Sequence, residues 1–483
     1  MADMSRRRRT AIGMAIAVAM VVSGCDSGTA GSGDTTALDL GRDCLAKEAP
    51  TLDLQKPLRE RWHVKASAIV PEWQVVDTVS LIDINPDSDR NASPATTTRP
   101  ILCGHTFVVV APSILGEQPA EQQTIAGIDV STGSVAWRAP LAAHAKCAQM
   151  GERFGCVATL PDHVSVQVFS PVGGDTHEYR LPAADAAVPV SDGIVTAIAD
   201  GDRTRITKYS ADGQAWSSTT PVGPSTSRHD DLVLQTVGAD FAIVHRTYGR
   251  SAAVFATRTG KVVAEVPSRA SNFAVSAFPG RRVIANAADG AVIVDESGRT
   301  VRRHPGAGLG DAQGWPHLQS AAAGAQVYAL QDGLYDVETG QKSPIPQQLR
   351  IPGQPPSPPY TAILGPVIGR TAWYTAQPTN SYASLADPRT AGVDTVTGRV
   401  RWVRPARTLG SSAGPIIGTT TLLVDTVGNR TMLSAVAAGT ARALWSQRLG
   451  PGDVSPVETR GAFDIDVHGV NLTQYGISLW GAR

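Results

Sequence analysis

Gly127-Ile-Asp-Val-Ser-Thr-Gly133-Ser-Val-Ala-Trp137 and Gly392-Val-Asp-Thr-Val-Thr-Gly398-Arg-Val-Arg-Trp402 are two copies of one pattern. In each, a short alternating apolar run meets a turn with Asp, Thr and Gly, and Trp follows four residues after the Gly. Weaker copies centre on Gly174, Gly213, Gly260, Gly298, Gly340 and Gly439, so the turn recurs about every forty residues. Alternation of apolar and polar residues is the strand period, and Gly supplies the positive φ that a tight hairpin demands. A period near forty built from strands and turns, with no helical pattern, predicts an all-β chain folded as a β-propeller. Each unit reads as a four-stranded antiparallel sheet with apolar faces that only a neighbouring sheet can cover. The tryptophans at 137, 216, 402 and 445 read as wedges that fill the widening space near the rim.

Eight turns imply eight four-stranded blades, and counting alone leaves seven and nine open. Phe463–Trp480 adds a strand pair without such a turn, and Arg61-Trp62-His63-Val64 resembles an outer strand. Chain-end strands from both termini are expected to pair and so close the ring, which removes open sheet edges.

Asp129-x-x-Thr132-Gly133-x-x-x-Trp137 and Asp394-x-x-Thr397-Gly398-x-x-x-Trp402 resemble the tryptophan-docking repeat of quinoprotein-type propellers. That family includes pyrroloquinoline-quinone dehydrogenases and the lipoprotein propeller of outer-membrane β-barrel assembly. The resemblance covers residues 56–483 and implies the fold; it is poor in functional information, because one fold hosts many activities. The dehydrogenases set an adjacent Cys-Cys pair against their cofactor, and this chain has no such pair. Neither their calcium carboxylates nor their catalytic Asp has a counterpart in any motif here. The resemblance therefore points to the non-catalytic branch, with no cofactor and no metal expected.

The N-terminus reads as a processing segment, residues 1–24. Arg6–Arg9 are basic, Ala11–Val22 carry no charge, and Val22-Ser23-Gly24-Cys25 resembles a bacterial lipoprotein cleavage box. An apolar run of this length is too short for a permanent membrane span. Cys25 is thus the expected lipidation site, and the competing reading is an ordinary signal peptide with an incidental Cys. Ser5-Arg6-Arg7 leaves twin-arginine export open beside the general route. Residues 25–55 begin Cys-Asp-Ser-Gly-Thr-Ala-Gly-Ser-Gly and read as a flexible polar tether.

Composition fits an exported protein of a bacterium with a GC-rich genome. The 43 basic and 43 acidic residues balance, so no basic field points to nucleic acid. Apart from Cys25 the cysteines are Cys44, Cys103, Cys147 and Cys156, an even number suited to disulfides in an oxidising compartment. Cys147 and Cys156 flank a hairpin-like connection and are expected to pair, which by elimination joins Cys44 to Cys103.

Other chemistry is weaker. Asp83-Ile-Asn85-Pro-Asp87-Ser-Asp89 alternates oxygen ligands, yet Ser88 and Pro94 stand where a calcium loop needs Gly and Glu. Gly410-Ser-Ser412-Ala-Gly414 spells a nucleophile elbow, which works only at a strand-to-helix turn. Two insertions, Asn85–Pro100 and the Pro-rich Ile351–Tyr360, read as face loops that carry variation or contacts. The functional expectation is a monomeric, membrane-anchored, non-enzymatic binding or scaffold protein that engages an envelope protein or a cell-wall ligand. The alternative is an extracytoplasmic dehydrogenase using pyrroloquinoline quinone or a metal.

Overall fold

A computed structural model of the 483-residue chain describes Leu38, residues 52–69 and most of 101–482. The main interruptions are 224–230, 268–273, 310–326, 345–361, 377–388, 406–411 and 450–468. Among the described residues one short helix, Ala66–Ile69, stands beside strands alone. Among the described residues no helix is long and apolar enough to cross a membrane.

Apart from a sheet built by the chain ends and a short hairpin of Ile114–Leu115 with Gln118–Pro119, each sheet is an antiparallel meander in chain order. We number them as sheet 1 (101–142), sheet 2 (146–182), sheet 3 (186–220), sheet 4 (232–267), sheet 5 (275–305), sheet 6 (327–336), sheet 7 (362–405) and sheet 8 (412–449). Seven have four strands; in sheet 6 two are described, with a bridge from Tyr335 to Lys342 beside them. A terminal sheet joins Leu58–Lys65 from one chain end to Val470–Thr473 and Gly476–Ala482 from the other. The expected pairing of strands from both chain ends is thus present in this sheet.

Sequence explains the strands. His163–Phe169 buries Val164, Val166 and Val168 on alternate positions. Middle strands such as Arg153–Thr159 are buried nearly throughout, because a neighbouring sheet lies on each face. Outer strands such as Val135–Ala142 stay half exposed.

The core is a series of layers between successive sheets. Ile125 and Leu141 of sheet 1 meet Phe154 and Phe169 of sheet 2. Val195 and Ile206 of sheet 3 meet Leu234 and Phe255 of sheet 4. Ile284 and Ile293 of sheet 5 meet Tyr328 and Leu330 of sheet 6, and Leu422 and Leu433 of sheet 8 meet Leu58 and Trp480 of the terminal sheet. Each such side chain removed from water contributes about 1.5–3 kcal/mol. Sheets packed in chain order, with both termini in one sheet, are the architecture of a β-propeller.

In every meander the first-to-second and third-to-fourth connections share one edge. Backbone bonds tie them together there: Thr257 N–H to the Asp240 carbonyl, Thr395 to Arg370, and Ala438 to Thr419. We call this the turn edge; second-to-third connections lie at the opposite edge.

The segment 25–55 is not wholly free of the propeller. Leu38, Leu52 and Leu54 are buried, the last two in the same cluster as Trp480 and Leu58. Apolar side chains in a polar stretch find the seams between sheets, so packing starts before residue 56.

Candidate functional site

The repeated turn is built by its aspartate. Asp129 Oδ1 accepts the N–H of Ser131 at 2.8 Å and of Thr132 at 2.9 Å, together with both hydroxyls. Asp336 accepts Glu338 and Thr339 in the same way, and Asp394 accepts Val396 and Thr397. A carboxylate that collects amide donors is stabilised in its charged form. The Ser131 hydroxyl leads in holding Asp129 below its ordinary value, and the Thr339 amide does so for Asp336. The Ser297 hydroxyl brings Asp295 to about 2. Arg401 lowers Asp394 furthest, with Nε at 3.1 Å from Oδ2, and Arg370 approaches the same carboxylate at 3.3 Å. Gly133 closes its turn with φ of 72°.

The tryptophan of one sheet reaches the turn of the next. Trp137 Nε1 donates to the Pro171 carbonyl at 2.8 Å, Trp216 to Thr257 at 3.1 Å, and Trp402 to Ala438 at 2.9 Å. Trp445 donates to Leu54 at 2.9 Å, and Trp62 of the terminal sheet to Val130 at 2.6 Å. The ring then lies against the turn: a Cβ added to Gly133 would sit 2.7 Å from the Trp62 ring. On its own sheet, Trp402 covers Gly392, its register partner, so closely that a Cβ there would fall inside the indole. Trp137 and Gly127 repeat this arrangement. Asp129, Thr132, Gly133 and Trp137, with Asp394, Thr397, Gly398 and Trp402, are therefore parts of two turns and two latches.

Three positions were missed or misplaced by reading for Gly and Trp. The turn of sheet 8 centres on Ala441, whose φ is 55°, and not on Gly439. Counted from Ala441, Trp445 falls at the same spacing as Trp137 from Gly133. Arg302 takes the tryptophan position of sheet 5: Nη1 donates to the Val337 carbonyl at 3.3 Å and Nη2 to Glu338 at 2.8 Å. The spacing Gly298-x-x-x-Arg302 was the available signal, and a guanidinium is flat like an indole and carries more N–H donors than its one. Ser343 Oγ donates to the Thr395 carbonyl at 2.6 Å, and nothing in its sequence context marks it.

Lys208 and His304 are also buried, and beside His304 the Arg302 latch donates from Nη1 to Tyr328 Oη at 3.2 Å. Lys208, 2% exposed, pairs with Asp192 at 2.6 Å. His304 Nε2 lies 2.7 Å from Tyr328 Oη, with the Tyr335 ring packed edge-on at 4.5 Å. Burial pushes the Tyr328 phenol up from its ordinary value.

Cys147 and Cys156 are register partners on adjacent strands of sheet 2 and are joined by a disulfide. Cys103 ends the strand Ile101–Cys103. Cys25, Cys44, Asp83–Asp89 and the insertion at 351–360 lie outside the described residues. Ser412 begins the strand Ser412–Ile417, so the elbow pattern sits at no strand-to-helix turn. Among the described residues no three of His, Cys, Asp and Glu are grouped to hold a metal ion.

No protein-family model matches the chain, and no curated protein sequence matches it. Solved structures do. A dihydro-heme d1 dehydrogenase, NirN, is 12% identical over 71% of this chain and 73% of its own, with a TM-score of 0.34. BamB from Moraxella catarrhalis is 14% identical over 70% and 78%, at 0.27. The β-propeller domain of Cps50 (Swd1) from Myceliophteria thermophila is 8% identical over 88% and 100%, at 0.32. Such distant likenesses carry nothing about activity, and the propeller rests on the order of the sheets themselves.

Proposed function

We propose that this chain is an envelope-anchored, non-enzymatic binding or scaffold propeller, lipidated at Cys25. In this reading its loops engage an envelope protein or a cell-wall ligand. One observation carries the non-enzymatic part. The polar and aromatic residues that recur from sheet to sheet are engaged in shaping turns and latching neighbours, as Asp394 and Trp402 are. The anchoring part is supported by the basic, apolar and Ser23-Gly24-Cys25 sequence at the N-terminus. A lipid anchor would keep such a protein at a membrane surface, where an extended loop edge is useful for capture.

Crosslinking in intact envelopes, followed by identification of the captured partner, tests the binding role. Purified protein given pyrroloquinoline quinone and calcium should remain free of both; a stoichiometric bound quinone would make it a dehydrogenase instead. Cys25→Ala should move the protein from the membrane to the soluble or precursor fraction. Maturation and membrane fractionation of that variant through detergent-free washes would refute the lipid anchor. Shortening Pro352–Pro359 should weaken capture with little change in melting temperature, because face loops tolerate deletions yet carry contacts.

A further inference from the structure

Charge balances over the whole chain but not along it. Residues 362–449, which hold sheets 7 and 8, contain nine arginines and no lysine against three aspartates and no glutamate. At the turn edge of these sheets the one carboxylate among the described residues is Asp394. Arg370 and Arg401 both turn to it, with Arg370 Nη2 at 3.3 Å from Oδ2. Arg401 also reaches forward: a Cβ added to Gly439, in the turn of sheet 8, would lie 3.8 Å from its Nη1. It thereby joins the two turns into one surface. The residue that closes each turn shows what is unusual here. Its carbonyl accepts the first N–H of the turn, Arg299 from Asp295, Arg399 from Asp394 and Arg442 from Ala437. Arg299 pairs with its own turn aspartate at 3.1 Å, and nearby Arg258 and Arg281 both reach Glu296. Arg399 instead finds its aspartate engaged by Arg370 and Arg401, and Arg442 follows a turn in which Ala437 stands in the aspartate's place. Both are exposed and make no ion pair among the described residues. Apolar side chains are exposed in the same place. Of five large hydrophobic residues exposed among those described, three are Val396 at 60%, Val400 at 37% and Leu444 at 42%. Val396 lies in the turn of sheet 7, and the other two lie at the start of the outer strands of sheets 7 and 8.

We propose that this part of the turn edge, Arg399, Arg401 and Arg442 with Val396, Val400 and Leu444, is a docking surface for an anionic phospholipid membrane. The arginines set the sign of the partner. A guanidinium without its own carboxylate has donors to spare, and phosphate oxygens accept them two at a time. The apolar residues set its kind. They are aliphatic side chains standing out among cations, an arrangement that enters a headgroup layer while the cations stay at the phosphates. An acidic protein would be held by aromatic anchors, and Trp402 beside this surface is engaged in its latch. Each basic residue close to an anionic leaflet strengthens attachment about fivefold, and salt screens the attraction. The surface is drawn from residues 370–444 and uses nothing of the N-terminal segment, so it stands apart from the reading of Cys25. Attachment of this kind is stripped by high-salt washing, whereas a lipid anchor resists it.

The test uses the full chain carrying Cys25→Ala, sedimented with vesicles of phosphatidylcholine alone or of phosphatidylcholine and phosphatidylglycerol in equal parts. Binding to the anionic vesicles should exceed binding to the neutral ones by about tenfold or more, and should fall as salt is raised. Arg399→Glu together with Arg442→Glu should weaken it by about tenfold or more. Arg203→Glu together with Arg205→Glu makes the same charge change on exposed residues at the opposite edge of sheet 3 and should leave binding as it was. All four side chains are exposed, so unchanged melting temperatures should show that both variants fold. An environment-sensitive fluorophore at Val396→Cys should shift to the blue on adding anionic vesicles, and one at Asp202→Cys should not. No gain from the anionic lipid, or equal loss with the two arginine pairs, would overturn the membrane surface. An acidic envelope protein whose crosslink is lost in Arg399→Glu/Arg442→Glu, with no vesicle binding by the parent, would give the patch to a protein and overturn it likewise. Fractionation of Cys25→Ala after high-salt washing decides the anchor separately.

Discussion

The indole N–H of Trp402, on the outer strand of sheet 7, donates to the backbone carbonyl of Ala438 in the turn of sheet 8. The same ring lies over Gly392 of its own sheet and meets Trp373 edge-on at 4.9 Å. One side chain thus joins two sheets by both packing and a directed bond. Buried aromatics in such pairs stabilise beyond their area, and the indole bond adds about 1 kcal/mol.

Trp402→Ala should destabilise the fold by about 3–5 kcal/mol, as large aromatic truncations do. Trp402→Phe should cost less, since it keeps most of the plate and loses the donor. Denaturant unfolding of both variants measures this. A Trp402→Ala protein that stays as stable as the parent yet fails to bind a captured partner would make the residue functional and remove the latch reading at that sheet.

Gly392→Ala should destabilise as well, because the new methyl occupies the indole's place. The two sites should be strongly non-additive: in Trp402→Ala the ring is gone, so Gly392→Ala should then cost little. A double-mutant cycle on unfolding free energies gives the coupling. Additive effects would mean that ring and glycine do not touch.

Acid should loosen the turns in a defined window. The carboxylates of Asp129, Asp295, Asp336 and Asp394 are held below their ordinary values in the fold, with Asp295 at about 2. A depressed folded pKa means stability that is fully present above the unfolded value, near 3.9, and lost as pH falls through the folded one. The melting temperature should therefore show little contribution from these groups between pH 7 and 5 and fall between about pH 4 and 2. Asp295→Asn keeps an acceptor for the Ser297 and Arg299 amides while removing the proton-linked part, so its decline should be shallower. An identical pH profile in that variant would remove Asp295 from the account.

Mass spectrometry without reduction should recover a peptide linked through Cys147 and Cys156. Because the closed loop is short, replacing both by Ala should cost about 2–3 kcal/mol in the loop-entropy account. Two free, alkylatable thiols in protein isolated from the envelope would contradict the bond.

Much of this architecture is local and therefore legible in the sequence. An aspartate that caps its own turn needs only neighbours two and three residues away, so Asp129-x-x-Thr132-Gly133 can be read directly. Alternation across a strand is equally local, and it fixes which side chains enter the layers between sheets. The pairing of Cys147 with Cys156 follows from two adjacent strands for the same reason. What a latch donor touches was not legible, because the acceptor is a backbone carbonyl on the next sheet and carbonyls have no sequence identity. Hence Arg302 and Ser343 could take a tryptophan's role, and Ala441 a glycine's, without changing the fold. Leu38 is the extreme case: its amide donates to the carbonyl of Ser210, remote in the chain, and only tertiary packing brings the two together. Short-range hydrogen bonds and side-chain period were set by the sequence itself, whereas the junctions between sheets were decided by which apolar surface remained uncovered once the sheets had stacked.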